Sequence, residues 1–198
     1  NDFYVDNTVL DPRPESELII DVTKNLLFDG MKVLDLGCGS GCVGISLYKE
    51  NSNITLSLAD FSKKALSISK KNAKELNAEC KIIYSDLFTD IHDKFDLIVT
   101  NLPYIAKNDF LYLQKEVILH EPHEALYGGQ SGLKVIKLFL SGVNRRLNKN
   151  GIFVMEFGNG QEFLLKKELL KSNFNNFTFY KDINMVKRLV CVKKDTEI

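Results

Sequence analysis

The sequence predicts an α/β fold: a mostly parallel sheet with helices on both faces and an antiparallel last strand. Three observations carry this reading. From Met31 onward, strand-like and helix-like segments alternate; the strand-like ones are apolar, β-branched runs of the buried type; and the last two finish the chain as a strand pair.

The elements follow in order. Residues 1–30 form an arm, beginning NDFYVDNTVLDPRPESELI, that runs into an amphipathic helix from about Glu15, with Pro14 suited to its first turn. Residues 31–198 form the main domain. KVLDLG (32–37) is a strand, GCVGISLYKE (41–50) a helix and ITLSLAD (54–60) a strand. SKKALSISKKNAKEL (62–76) places Ala65, Ile68, Ser69, Ala73 and Leu76 at helical spacing behind Ser62 as N-cap. CKIIYSD (80–86) and FDLIVTN (95–101) are further strands. GLKVIKLFLSGVNRRL (132–147) has a broad apolar helical face, and GIFVMEFG (151–158) is a strand started by Gly151. A helix, QEFLLKKELLKS (161–172), precedes the strands FTFYKD (177–182) and KRLVCV (187–192).

Composition narrows the function classes. At 198 residues, 44% apolar and 26% charged, the chain suits one soluble α/β domain. Lysine plus arginine balances aspartate plus glutamate, so the net charge is zero, which weighs against broad contact with nucleic acid phosphates. Lys63, Lys64, Lys70, Lys71 and Lys74 read as a solvated helix face. Four cysteines without a CxxC motif fit reduced thiols in a cytoplasmic compartment or an organelle matrix, and the apolar runs are too short to span a bilayer. A start at Asn1 without methionine is expected of a piece trimmed from something longer.

DLGCGSGCVG follows the first core strand and opens a helix. Dinucleotide-binding loops read GxGxxG, and the position needed for the third glycine is Cys42, which counts against a nicotinamide dehydrogenase. The pattern here is GxGxG, formed by Gly37, Cys38, Gly39, Ser40 and Gly41 and preceded by Asp35. It resembles the cofactor loop of class I S-adenosylmethionine-dependent methyltransferases. That resemblance implies a Rossmann-like seven-stranded sheet and S-adenosyl-L-methionine as cofactor. Asp60, at the end of the second strand and followed by Phe61, is placed to accept both ribose hydroxyls. Asp86, read as ending the third strand, is placed to meet the adenine amino group, with Leu87 flanking the ring.

The fourth strand ends in Asn101-Leu102-Pro103-Tyr104. This tetrapeptide resembles the NPPY signature of methyltransferases that alkylate planar amide or amino nitrogens. The lone pair of such a nitrogen is delocalised, so positioning must do most of the work. The Asn101 side-chain oxygen and an adjacent backbone carbonyl can each accept one N–H bond. Pro103 holds Leu102 extended and aims its carbonyl, and Tyr104 offers a flat face. Leu102 stands where the signature has its first proline; the carbonyl acceptor survives, and slightly looser positioning is expected.

Beyond the tetrapeptide, FYVDNTVLDPRPESE (3–17) and HEPHEALYGGQSGL (120–133) resemble the aromatic-rich lead into PRPxTE and the EPxxAL…G…GL segment of HemK/PrmC-type protein-(glutamine-N5) methyltransferases. The resemblance covers essentially the whole chain. It implies transfer of methyl to the glutamine of the Gly-Gly-Gln loop in a peptide chain release factor. It also implies a substrate pocket of Phe3, Arg13 and Asn101 to Tyr104, and a small helical domain ahead of the catalytic one, outside this sequence. An amino-methyltransferase acting on adenine or guanine of nucleic acid stays open as the alternative, as does a non-catalytic subunit that binds cofactor to brace a partner. No membrane contact, direct nucleic acid binding or metal is expected. His120 and His123 in HEPHE lie either side of Pro122, which disfavours one helical face, and methyl transfer from a sulfonium needs no metal. Residues 128–130 themselves read Gly-Gly-Gln, expected as a glycine-rich loop rather than a self-methylation site at Gln130.

Overall fold

The computed structural model describes residues 2–113 and 122–194. The arm enters α1 (Pro14–Thr23), and a 3-10 turn (Lys24–Leu26) follows. Then come β1 (Lys32–Leu36), α2 (Cys42–Glu50), β2 (Thr55–Asp60), α3 (Lys63–Glu75), β3 (Cys80–Tyr84) and β4 (Phe95–Thr100). A second 3-10 turn (Asp109–Tyr112) and the short α4 (His123–Leu126) precede α5 (Lys134–Arg146), β5 (Leu147–Glu156), α6 (Glu162–Lys171), β6 (Asn176–Lys181) and β7 (Lys187–Lys193). Ser62 caps α3, its hydroxyl accepting the Ala65 N–H at 3.3 Å. Among the described residues no helix is long and apolar enough to cross a membrane.

The seven strands form one sheet in the order β3-β2-β1-β4-β5-β7-β6. β1 to β5 pair in parallel, and β7 runs antiparallel to both β5 and β6. From β1 the chain winds outward to β2 and β3, then returns to place β4 on the other side of β1. At such a switch point the loops leaving neighbouring strands diverge to opposite faces and open a crevice at their carboxyl ends.

Period-two alternation divides the core between the two faces. Leu34, Leu36, Ile98, Phe153 and Met155 pack with Ile136, Phe139 and Val143 of α5 and Leu165 and Leu169 of α6. Val33, Leu97, Val99 and Val154 pack on the other face with Ile19 of α1 and Ile45 and Leu47 of α2.

Several boundaries differ from expectation, most by a residue or two, and two of the differences have a local cause. β5 begins at Leu147, not Gly151, because the chain bulges against β4: the register shifts between Phe95 and Leu97 and Asn150 takes φ +61°. Gly151 lies inside that bulge, where a Cβ would meet the Asn148 and Phe95 carbonyl oxygens at 3.0 and 3.1 Å. β3 ends at Tyr84, so Asp86 stands two residues beyond the strand, in a turn that drives Leu87 to φ +46°.

Candidate active site

The site grows from the β1–β4 pair. Leu36 is in register with Thr100, and the buried Thr100 hydroxyl donates to the Leu36 carbonyl at 2.7 Å. The glycine loop and the Asn101–Tyr104 loop therefore leave the sheet side by side. Gly41 caps α2 at φ +80°, and a Cβ there would meet Ile45, Ser69 and Leu58 at 3.0–3.3 Å, so a larger residue would strain the backbone and crowd these side chains.

Asp35 is one residue short of the end of β1 and points beneath α2, where its Oδ2 accepts the Gly44 N–H at 2.8 Å. Gly44 is what lets the helix come so close, since a Cβ would lie 2.9 Å from that of Asp35. Burial pushes the Asp35 carboxyl up from 3.8 to about 7, opposed by the Gly44 bond and helped by the charge of Asp60. Asp60 is also raised by burial, and the N–H groups of Ser62, Gly39 and Phe61 counter the rise. Its Oδ1 accepts from Ser62 at 2.8 Å and its Oδ2 from Gly39 at 3.0 Å. Each oxygen keeps capacity for another donor. Burial raises the Cys38 thiol well above its ordinary range and Cys42 to about 11, so both are neutral at neutral pH.

A cavity of about 450 Å³ lies over this edge, within the range of about 300–1,000 Å³ common for small-ligand sites. Asp35, Gly37, Cys38, Gly39, Ser40, Asp60, Phe61, Asp86 and Leu87 line it, as do Asn101, Leu102 and Pro103; Gly41 does not. Thr8 to Pro12 of the arm form a further wall. Carboxylates facing apolar walls suit a ligand that offers hydroxyl or amino donors and an apolar ring. A second cavity of about 600 Å³ is lined by Arg13, Tyr104, Tyr112, Gln161 and Arg188 among others. Asn101 and Leu102 line both.

The loop that carries Asn101 is braced by Glu156 and Gln161, which the sequence did not flag, and by the 127–128 segment. The Tyr104 hydroxyl donates to the buried Glu156 carboxylate at 2.8 Å. Gln161 Nε2 donates to the Tyr104 carbonyl at 2.8 Å, while its Oε1 accepts the Gly158 N–H at 2.9 Å. Ile105 bridges to Tyr127, and Gly128 lies against residues 103 and 104, where a Cβ would be 2.7 Å from Tyr104 Cα. The glycines of the 128–130 tripeptide thus serve close packing. Gln130 is exposed and lines neither cavity. Leu102 is buried in the core, with Cδ2 3.6 Å from where a Gly37 Cβ would be, so packing restrains it where a proline ring would.

Phe3, expected in the substrate pocket, lies elsewhere. It lines neither cavity and is half-buried against the core of the α1–α2 face. The neighbouring Tyr4 is tied through its backbone to Asn72 of α3, which fixes the arm there. Of the HEPHE segment, His120 and Glu121 lie outside the described residues. His123 stacks on Phe110 with ring centroids 4.8 Å apart, and Glu124 lines the first cavity. Among the described residues no group of three or more His, Cys, Asp or Glu side chains is arranged to hold a metal ion.

Comparisons with known proteins agree with this architecture. The methyltransferase small domain family matches residues 12–130. The release factor glutamine methyltransferase of Streptococcus pneumoniae is 36% identical over 79% of this chain and 58% of its own length. That of Koribacter versatilis is 34% identical over 98% of this chain and 70% of its own. The chain thus spans about three-fifths to seven-tenths of these relatives. Among solved structures, a methyltransferase from Pyrococcus furiosus superposes with a TM-score of 0.73 at 16% identity, covering 98% of this chain and 88% of its own. A Thermus thermophilus 16S rRNA methyltransferase in complex with AdoMet and guanosine gives 0.66 at 21% identity, covering 93% of this chain and 44% of its own.

Proposed function

The chain belongs to the methyltransferase small domain family and, within it, to the release factor glutamine methyltransferases; on that premise we propose that it transfers a methyl group from S-adenosyl-L-methionine to the side-chain amide nitrogen of the glutamine in the Gly-Gly-Gln loop of a peptide chain release factor. One observation carries the reading: Asn101 and Leu102 form a wall common to two cavities, one lined by carboxylates and the glycine loop, the other by Tyr104, Gln161 and two arginines.

The first cavity suits the cofactor by its donor set. Asp60 has lone pairs left for two ribose hydroxyls, Asp86 can accept from an exocyclic amine, and Leu87 supplies an apolar flank. When bound, the cofactor supplies an electrophilic methyl group on a sulfonium, with a neutral thioether as leaving group. The rest is assigned to the protein. Asn101 Oδ1 and the Leu102 carbonyl accept the two N–H groups of the substrate amide and hold its nitrogen toward the first cavity. Pro103 keeps Leu102 extended, and the Tyr104 brace to Glu156 and Gln161 keeps the loop from relaxing. In well-aligned intramolecular cases such positioning is worth about 7–11 kcal/mol. No strong base is needed, because the amide nitrogen that takes the methyl becomes cationic and strongly acidic, and it gives its extra proton to water to leave the neutral N-methyl amide.

The test is tandem mass spectrometry of release factors incubated with this chain and methyl-labelled cofactor. The reading predicts one added methyl on the glutamine of the Gly-Gly-Gln loop. Label in RNA or DNA with none in a release factor would overturn it in favour of a nucleic acid amino-methyltransferase.

A further inference from the structure

Asn72 lies on α3 among solvated lysines, yet it is 1% exposed. A buried amide needs partners, and here they come from two separate segments. Its Oδ1 accepts the Tyr4 N–H at 2.9 Å, and its Nδ2 donates to the Tyr4 carbonyl and to the Ser40 carbonyl, each at 2.9 Å. Both donors of the amide are therefore spent, one on the arm and one on the glycine loop. The grip on Tyr4 is through backbone, as a neighbouring strand would hold it. Farther along the arm Val9 is buried on Ala65 and Ile68 of the same helix, and residues 8–12 then wall the first cavity. One side chain thus fixes both the loop beneath the cavity and the strap beside it.

We propose that Asn72 is a positioning residue that makes seating of the N-terminal arm and binding of the cofactor a single coupled event, an inference that rests on the first cavity being the cofactor site. Ligand affinity then depends on the arm, and by reciprocity the ligand holds the arm down.

The experiment uses the full chain, with S-adenosylhomocysteine as probe. Calorimetric affinity and hydrogen exchange at amides 3–12 are measured in the parent, Tyr4→Pro, Asn72→Ala and the double variant. Tyr4 is 42% exposed, so its variant leaves the core intact and carries the test even where Asn72→Ala does not fold. Coupling predicts that the probe slows exchange of the parent's arm and that each single change weakens binding about tenfold, the size of a lost buried hydrogen bond. The double variant is then no weaker than Asn72→Ala. Unchanged affinity in Tyr4→Pro, additive losses in the double variant, or arm exchange indifferent to the probe overturns the coupling while leaving the cofactor site standing. A parent chain that binds no probe overturns the cofactor reading itself.

Discussion

Asn101 follows the last residue of a strand buried at every position but Asp96, and the Thr100 hydroxyl bond to Leu36 fixes where it leaves the sheet. Asp35 is held as firmly, but at an electrostatic cost. Folding raises its carboxyl from 3.8 to about 7, so the folded state takes up a proton between those values. Its contribution to stability therefore falls as pH rises through that window and is level above it. Asp35→Asn keeps an acceptor for Gly44 and removes the charge. The variant is expected to be more stable than the parent at pH 8, by up to about 4 kcal/mol, with the gap closing toward pH 4. Urea denaturation at several pH values reads this out; parallel curves for the two proteins would contradict it. Asp35, the glycine loop, Asp60 and Asn101 could be singled out beforehand because each is written in a few consecutive residues beside a strand. Asn72 and Gln161 could not, because their partners lie 68 and 57 residues away. The place of Phe3 was not legible for the same reason: it follows from a distant amide that holds the neighbouring Tyr4.

Among the elements, strands and helices were legible because apolar periodicity and turn residues are local signals. The bulge at the start of β5 was not, since it exists only as a mismatch with β4. The 128–132 loop reads as generic glycine-rich chain until its neighbours are known. At φ +75°, Gly132 would put a Cβ 2.2 Å from the Tyr104 oxygen and 2.3 Å from Gln161 Nε2. Gly132→Ala must therefore shift the loop that carries Asn101. We expect a loss of about 1–3 kcal/mol in stability and a fall in transfer rate larger than that loss explains, measured by denaturation and by initial rates on the same preparation. Wild-type rates in the variant would mean that the brace does not set the geometry of the site.

At the scale of the whole molecule, the sheet order places the glycine loop and the Asn101 loop together at the switch point. Zero net charge gives the surface no broad pull toward phosphate. A cofactor that binds only the folded chain should stabilise it by about 2.7 kcal/mol at a hundred times its Kd, a rise of about 5–11 °C in Tm for a chain of this size. A thermal scan with S-adenosylhomocysteine checks this, and an unmoved Tm at saturation would contradict it. The central claim is that one residue wall separates cofactor from substrate, and Asn101→Ala tests it most directly. Cofactor affinity and single-turnover methyl transfer to a release factor are measured on the same protein. We expect affinity within about threefold of the parent, and transfer reduced by a factor on the order of one hundred or more. Transfer that survives the change, or cofactor affinity that is lost with it, would contradict the account.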